Sequence, residues 1–397
     1  MAERVKLKSY IVFASIVVLI FALPAHWVWS PHGVFRKMGV VDFAGCAPVH
    51  LVGGVVGLVS TIYLKPRQNR FGPNGKSEMS SPTNALLGTF MLWWGWLGFN
   101  TGCTWGITGG RWRLASRSAV STMLSSIGGG VMSIIISVVA TRKCHINFLI
   151  DGLLSALVSV TAICAVARPW QSLLIGMIGA TLALSTVPLL ERLQIDDPVG
   201  IIPVHVVSSI WGMLAVGLFA KEDRVHDITH GSAGLFYSGS FRLLGIQALT
   251  TVAVSVWCAV IGFFLLLIID KSPLGLRMSS ADELIGADVL EHGLTGHNIA
   301  GYDVEDTLKN TRAFGSAMQA LSKWKAITRT SAIRRKEEEE RIKQASSWLE
   351  HEQPIHESHK PSSARTSISA VVLGNASNCN GAQARRQQLR RSYTTDV

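Results

Sequence analysis

The chain has 397 residues, 48% hydrophobic and only 16% charged, with a mean hydropathy of +0.32. That balance excludes an ordinary soluble protein of this length and points to a polytopic membrane protein, for which 12 Trp and 37 Gly are also suited. The net charge is +11, but 18 of the 37 Lys and Arg follow residue 270; this basicity belongs to a tail that can meet anionic lipid, and no motif supports nucleic-acid binding.

Eight stretches approach the roughly 20 residues needed to cross a bilayer. They lie near 11–29, 43–63, 84–104, 118–140, 147–166, 171–190, 200–220 and 243–269. The first follows Arg4, Lys6 and Lys8 as a signal peptide would, but Trp27 and Trp29 close it like an interfacial belt, and it reads as a span. Residues 1–270 are therefore expected to form a transmembrane domain. Residues 271–311 turn polar, and 312–350 carry the run Arg334 to Arg341 expected of a charged helix. Residues 351–397 have the composition of a disordered tail. An even number of spans puts both termini on one side; the basic tail suggests the cytoplasm.

One phrase occurs twice. Asp42-Phe-Ala-Gly45-Cys-Ala-Pro48-Val-His50-Leu-Val52 and Asp197-Pro-Val-Gly200-Ile-Ile-Pro203-Val-His205-Val-Val207 both read D-x-x-G-x-x-P-V-H-x-V. The two copies open the second and seventh stretches, which the spacing makes antiparallel. Each histidine lies eight residues past its aspartate, about 12 Å into a core roughly 30 Å thick. Helices entering from opposite faces would bring both rings toward the midplane, the logic of an inverted repeat with a site between the copies. Pro48 and Pro203 could break the helix starts and alter that depth.

His50 and His205 admit three readings: packed core histidines, metal ligands, or a pair sharing a narrow pore. Two histidines with no carboxylate or Cys at ligand spacing beside them in sequence are too few for a metal. The pair is preferred, because imidazole titrates near working pH and can pass a proton or hydrogen-bond a small polar solute. Asp42 precedes a span as an N-cap would, and its carboxylate could also favour a nearby cation. Asp196 and Asp197 read as caps of the seventh span. Trp29 could anchor the interface or hold a cation on its face. In the run Gly88 to Gly102, Phe99 could plug a pore beside Trp96, and Gly98 and Gly102 form a G-x-x-x-G whose simplest role is helix packing. The six cysteines, at 46, 103, 144, 164, 258 and 379, contain no C-x-x-C pair and suggest neither a disulfide framework nor a metal site. No nucleophile motif or phosphate loop suggests an enzyme, and no cofactor is expected.

Taken together, Asp42 to Gly54, Gly95-Trp-Leu-Gly-Phe-Asn-Thr-Gly102, and Asp196 to His205 with Trp211-Gly212 resemble signatures of the ammonium transporter (Amt/Mep/Rh) superfamily. Gly275-Leu-Arg-Met-Ser279, with Asp282, Glu283 and Glu291-His-Gly293, is similar to that family's cytoplasmic regulatory segment. The resemblance covers about residues 2–303. It implies an all-α ammonium-transporter fold with an inverted repeat, of whose eleven helices about eight correspond to this chain, the first three having no counterpart. It implies a homotrimer in a lipid bilayer, in the plasma membrane, with one pore per subunit. It also implies an outer ammonium site of Trp29, Phe99, Asp42 and Cys103, a pore lined by Trp96, and His50 and His205 as paired pore histidines where ammonium sheds its proton. Asp196 and Asp197 would couple the pore to the regulatory segment. The chain departs from the pattern at Cys103, where many members have serine, and at Val206, Ser208 and Ser209, where glycines are usual. Alternative readings are a non-transporting ammonium sensor or regulatory subunit, and a Rhesus-like neutral gas channel; retention of Trp29 argues against the last.

Overall fold

The computed structural model describes residues 1–292, except 73, 74, 76–78 and 80, together with residue 340. The expected charged helix at 312–350, apart from Glu340, and the expected tail at 351–397 lie outside the described residues.

The described residues are helical, and the sole β feature among them is an isolated bridge between Val5 and Arg277. In chain order the helices are α1 (Leu7–Trp29), α2 (Val34–Met38), α3 (Cys46–Leu64), α4 (Pro82–Gly102), α5 (Arg111–Thr141) and α6 (Ile146–Thr161). They continue with α7 (Pro169–Arg192), α8 (Ile202–Phe219), α9 (Leu235–Ser238), α10 (Arg242–Lys271), α11 (Ser280–Ile285) and α12 (Ala287–His292). A long helix overlies each of the eight apolar stretches. Six of them, α1, α3, α5, α7, α8 and α10, are long and apolar enough to cross a membrane. α6 is shorter, and α4 is diluted by polar and glycine residues. The chain is thus a multi-pass membrane protein.

Local chemistry sets the boundaries. α4 starts where the Ser81 hydroxyl accepts from the Asn84 N–H at 3.3 Å, with Pro82 in the first turn. α7 starts with Pro169 and with the Gln171 side chain accepting from the Arg168 N–H at 2.8 Å. α2 stops at Gly39, which takes up a left-handed conformation.

α5, α6 and α7 pack through small residues, as helices must where lipid removes the hydrophobic drive for association. A Cβ on Gly176 would fall 2.1 Å from the Ser125 carbonyl oxygen, and one on Gly129 would fall 2.4 Å from the Ala156 Cβ. The Ser125 hydroxyl, so positioned, donates to the Ala156 carbonyl at 2.7 Å. The G-x-x-x-G at Gly98 and Gly102 does not serve this purpose within the described chain: a Cβ at either would meet nothing within 4 Å. α4 instead leaves a broad apolar side exposed, including Phe90, Met91 and Trp94.

Candidate functional site

The repeated phrase folds the same way twice. Gly45 (φ +95°) and Gly200 (φ +65°) both adopt the left-handed conformation that turns the chain into a helix start. In each copy the first helical turn is a π turn, Cys46–Leu51 in α3 and Ile202–Val207 in α8. The aspartate consumes the donors this start would leave free. Asp42 Oδ1 accepts from the N–H groups of Gly45 and Cys46 at 2.8 Å each, and Oδ2 accepts from Ala47 at 2.7 Å. Asp197 accepts from Ile201 at 3.1 Å and Ile202 at 2.8 Å. Pro48 and Pro203 follow directly and have no N–H to satisfy. The prolines therefore fit the capped turn rather than break it, and the N–H groups of Val49 and Val204 return to the Gly45 and Gly200 carbonyls at 3.0 Å.

The two turns set the histidine rings face to face, 5.4 Å apart between centroids and 24° from parallel. Gly54 makes this possible. A Cβ on it would stand 2.9 Å from the His205 carbonyl carbon, so α3 can meet α8 only with glycine there. On its other side His50 stacks on Trp96 at 4.9 Å and 13°, and Phe99 lies 5.7 Å away. The Trp96 indole is fixed by donating to the Thr161 hydroxyl at 3.1 Å. His50 is buried and its Nε2 has no partner among the described residues, while His205 is half-buried. An unpaired imidazole nitrogen within an aromatic enclosure is a place for a small polar solute, because an empty one carries an uncompensated desolvation cost.

Trp29 lies at the end of α1. Its indole donates to the Asp42 carbonyl at 3.0 Å, and its ring edge presses on Gly45 so closely that a Cβ there would come within 2.9 Å. The residue as a whole stays 37% exposed. Its aromatic neighbour is Phe21, edge-on at 6.5 Å; neither Phe21 nor Thr161 carries a sequence signal that would single it out. Cys103, just past α4, points its sulfur back to the Phe99 carbonyl at 3.3 Å. Val206, Ser208 and Ser209 are buried in helix contacts: the Ser208 hydroxyl donates to the Pro203 carbonyl at 3.0 Å, and the Cys46 thiol donates to the Ser209 carbonyl at 3.5 Å.

At the opposite end, the adjacent aspartates divide their roles, contrary to the expectation that both cap. Asp197 caps α8. Asp196 turns away and binds arginines: Arg4 Nη1 at 2.7 Å, Arg67 Nε at 2.8 Å and Arg70 Nε at 3.3 Å. Burial alone would raise the Asp196 carboxyl, but hydrogen bonds from Arg67 and the charges of Arg67 and Arg4 outweigh it and hold its pKa below the ordinary value. The segment after α10 is threaded into this cluster. Met278 N–H donates to the Arg4 carbonyl at 3.0 Å, Arg277 pairs with Glu283 at 2.9 Å and donates to the Pro66 carbonyl at 2.8 Å, and Gln68 N–H donates to Glu283 at 2.7 Å.

Residues 1–297 match the model of the Ammonium Transporter Family. The chain is 56% identical over 343 residues to "Putative ammonium transporter 3" of Caenorhabditis elegans, covering 86% of this chain but 50% of that protein. It is 45% identical to "Putative ammonium transporter 2" of the same organism, over 85% of this chain and 67% of that one. Among solved structures it is similar to a "Sensor Amt Protein" (TM-score 0.65, 30% identity, 73% of this chain and 71% of that one) and to Saccharomyces cerevisiae Mep2 (TM-score 0.63, 28% identity, 69% and 61%). The chain spans half the length of the first of these relatives.

Proposed function

The chain belongs to the ammonium transporter family, and we propose that it carries ammonium nitrogen across a membrane through the His50–His205 pore. The observation that carries this reading is the ring pair itself, with His50 Nε2 unpaired between His205 and Trp96. Ammonium would dock on the ring of the partly exposed Trp29, where a cation gains from the ring quadrupole. Phe99 and Cys103 would complete this outer site, and the Asp42 carboxylate would favour the cation from below. A bare cation is costly in an apolar passage and a neutral molecule is cheap. Ammonium would therefore give up its proton, and ammonia would pass His50 and His205 while the proton moves along the imidazoles.

The Asp196 end would face the cytoplasm of a plasma-membrane protein, with the 276–291 segment coupled through Asp196 and Asp197 to the turn carrying His205. A homotrimer would cover part of the exposed side of α4. Non-transporting sensing is a second reading, favoured by the likeness to the "Sensor Amt Protein".

Ammonium-dependent growth and uptake in cells lacking their own transporters test the proposal. Uptake that falls about tenfold or more in His50→Ala and in His205→Ala is expected. A chain present in the membrane that binds ammonium but carries none would replace transport with sensing.

A further inference from the structure

We propose that Asp151 is a proton-transfer residue of the same pore, returning a proton to the ammonia that leaves His205; this rests on the transport reading above. Asp151 lies in the first turns of α6, at the Asp196 end. Asp42, Asp196, Asp197 and Asp270 are all engaged: the first and third by backbone N–H groups, Asp196 by arginines, and Asp270 by the Tyr63 hydroxyl at 2.9 Å. Asp151 alone among the aspartates packed in the helix bundle has neither a hydrogen bond nor an ion pair among the described residues.

Its position is specific. A Cβ built on Gly200 would stand 2.9 Å from Asp151 Oδ1 and 3.7 Å from Oδ2. Gly200 opens the π turn, accepting from the Val204 N–H at 3.0 Å, and His205 is the next residue. The carboxylate thus sits against Gly200, five residues before His205 in the chain, beneath a residue with no side chain to cover it. α6 packs on the π turns of both α3 and α8. Asp151 is half-buried, so it is neither sealed from solute nor fully solvated. The charged group facing it from α8 is Asp197, whose carboxylate is occupied by Ile201 and Ile202. On the turn before α6 stand Arg142, Lys143 and His145, and at the end of α7 stand Glu191 and Arg192.

The chemistry balances. Ammonium gives its proton to the imidazole pair, His205 passes it through water at the pore exit to the Asp151 carboxylate, and the resulting acid gives it to the emerging ammonia. Ammonium leaves, and Asp151 returns to the carboxylate. A carboxylate already holding N–H donors or arginines could not perform this exchange without breaking them.

Asp151→Asn keeps the shape and removes the exchangeable proton; Asp151→Ala removes the packing too. Both are made in the full chain, reconstituted in lipid vesicles, and ammonium-driven currents are recorded. In Asp151→Asn the maximal current is expected to fall about tenfold or more, while the half-saturating ammonium concentration stays within about twofold. A maximal current within about twofold of the parent overturns the proposal, as does a loss confined to Asp151→Ala, which would mark a packing role. Infrared difference spectroscopy on ammonium addition gives a second readout: a carboxyl protonation band is expected in the parent and absent in Asp151→Asn. A parent that carries no current refutes the transport reading, and the infrared comparison then decides Asp151 alone. Should Asp151→Asn fail to fold, a parent lacking any ammonium-dependent carboxyl band overturns the proposal.

Discussion

Gly54 lies directly against His205: a Cβ on Gly54 would stand 2.9 Å from the His205 carbonyl carbon and from the Val206 nitrogen, and 3.0 Å from the His205 Cβ. Two of these atoms are backbone, which cannot rotate away. Gly54→Ala is therefore expected to push α3 off α8, costing roughly 1–3 kcal/mol from overpacking and separating the rings. Ammonium uptake should fall while membrane insertion persists. Gly53→Ala, where a Cβ would meet nothing within 4 Å, is the control. Equal uptake in the two variants would show that the ring spacing does not limit transport.

In the proposed pore, His50 and His205 would each present polar nitrogen to a desolvated solute. Losing one such hydrogen bond costs about 1–3 kcal/mol, so His50→Ala and His205→Ala should each lower ammonium uptake about tenfold or more. His50→Ala should also free the Trp96 ring, changing its fluorescence; His205→Ala, which does not touch Trp96 in this arrangement, should change it less.

Asp42 satisfies three backbone donors and Asp197 two. Asparagine has only one acceptor oxygen in place of two. Asp42→Asn should thus lose more stability than Asp197→Asn, each by roughly 1–3 kcal/mol for donors left unpaired. Thermal unfolding of the detergent-solubilised chain measures the order. A larger drop for Asp197→Asn would contradict the donor accounting at the two π turns.

Asp196 holds the fully buried Arg4 at 2.7 Å. Asp196→Asn leaves that guanidinium without its counter-charge, a change worth roughly 3–5 kcal/mol for a buried pair. The pH dependence follows from the lowered Asp196 pKa. A depressed folded pKa stabilises the protein at every pH above the unfolded value of 3.8, and the contribution disappears as pH falls through the folded value. The melting-temperature gap between the parent and Asp196→Asn should therefore be constant from neutral pH down to about pH 5 and close only in stronger acid. A gap that closes between pH 7 and 5 would assign the stability to another group.

Much of the site was legible because the phrase spells a local structure. Aspartate, glycine and proline at fixed spacing are the cap, the left-handed turn and the donor-free position that a helix start requires, and they occur with a histidine at the same offset in both copies. The π winding of that turn was not legible, since it depends on how carboxylate and proline share out the donors. Within the described chain the G-x-x-x-G at Gly98 and Gly102 meets no neighbour, because glycine spacing does not say which side of a helix meets another; the close approaches fall at Gly129, Gly176 and Gly54. Asp196 and Asp197 read alike as caps, and only the convergence of Arg4, Arg67 and Arg70, all far from Asp196 in sequence, separates them. Asp151 stands at the edge of a span in the sequence and gains significance only where α6 meets Gly200.

The sequence by itself determined the all-helical membrane class, the place of the long helices and the doubled histidine turn, because hydrophobic length and capping chemistry are local properties. The tertiary structure alone decided that the two rings face each other across Gly54, that Trp96 and Thr161 hold one of them, and that Asp151, unpaired among the described residues, lies against Gly200. Those outcomes depend on which backbones can approach within a few ångströms, a property of packing between segments far apart in the sequence.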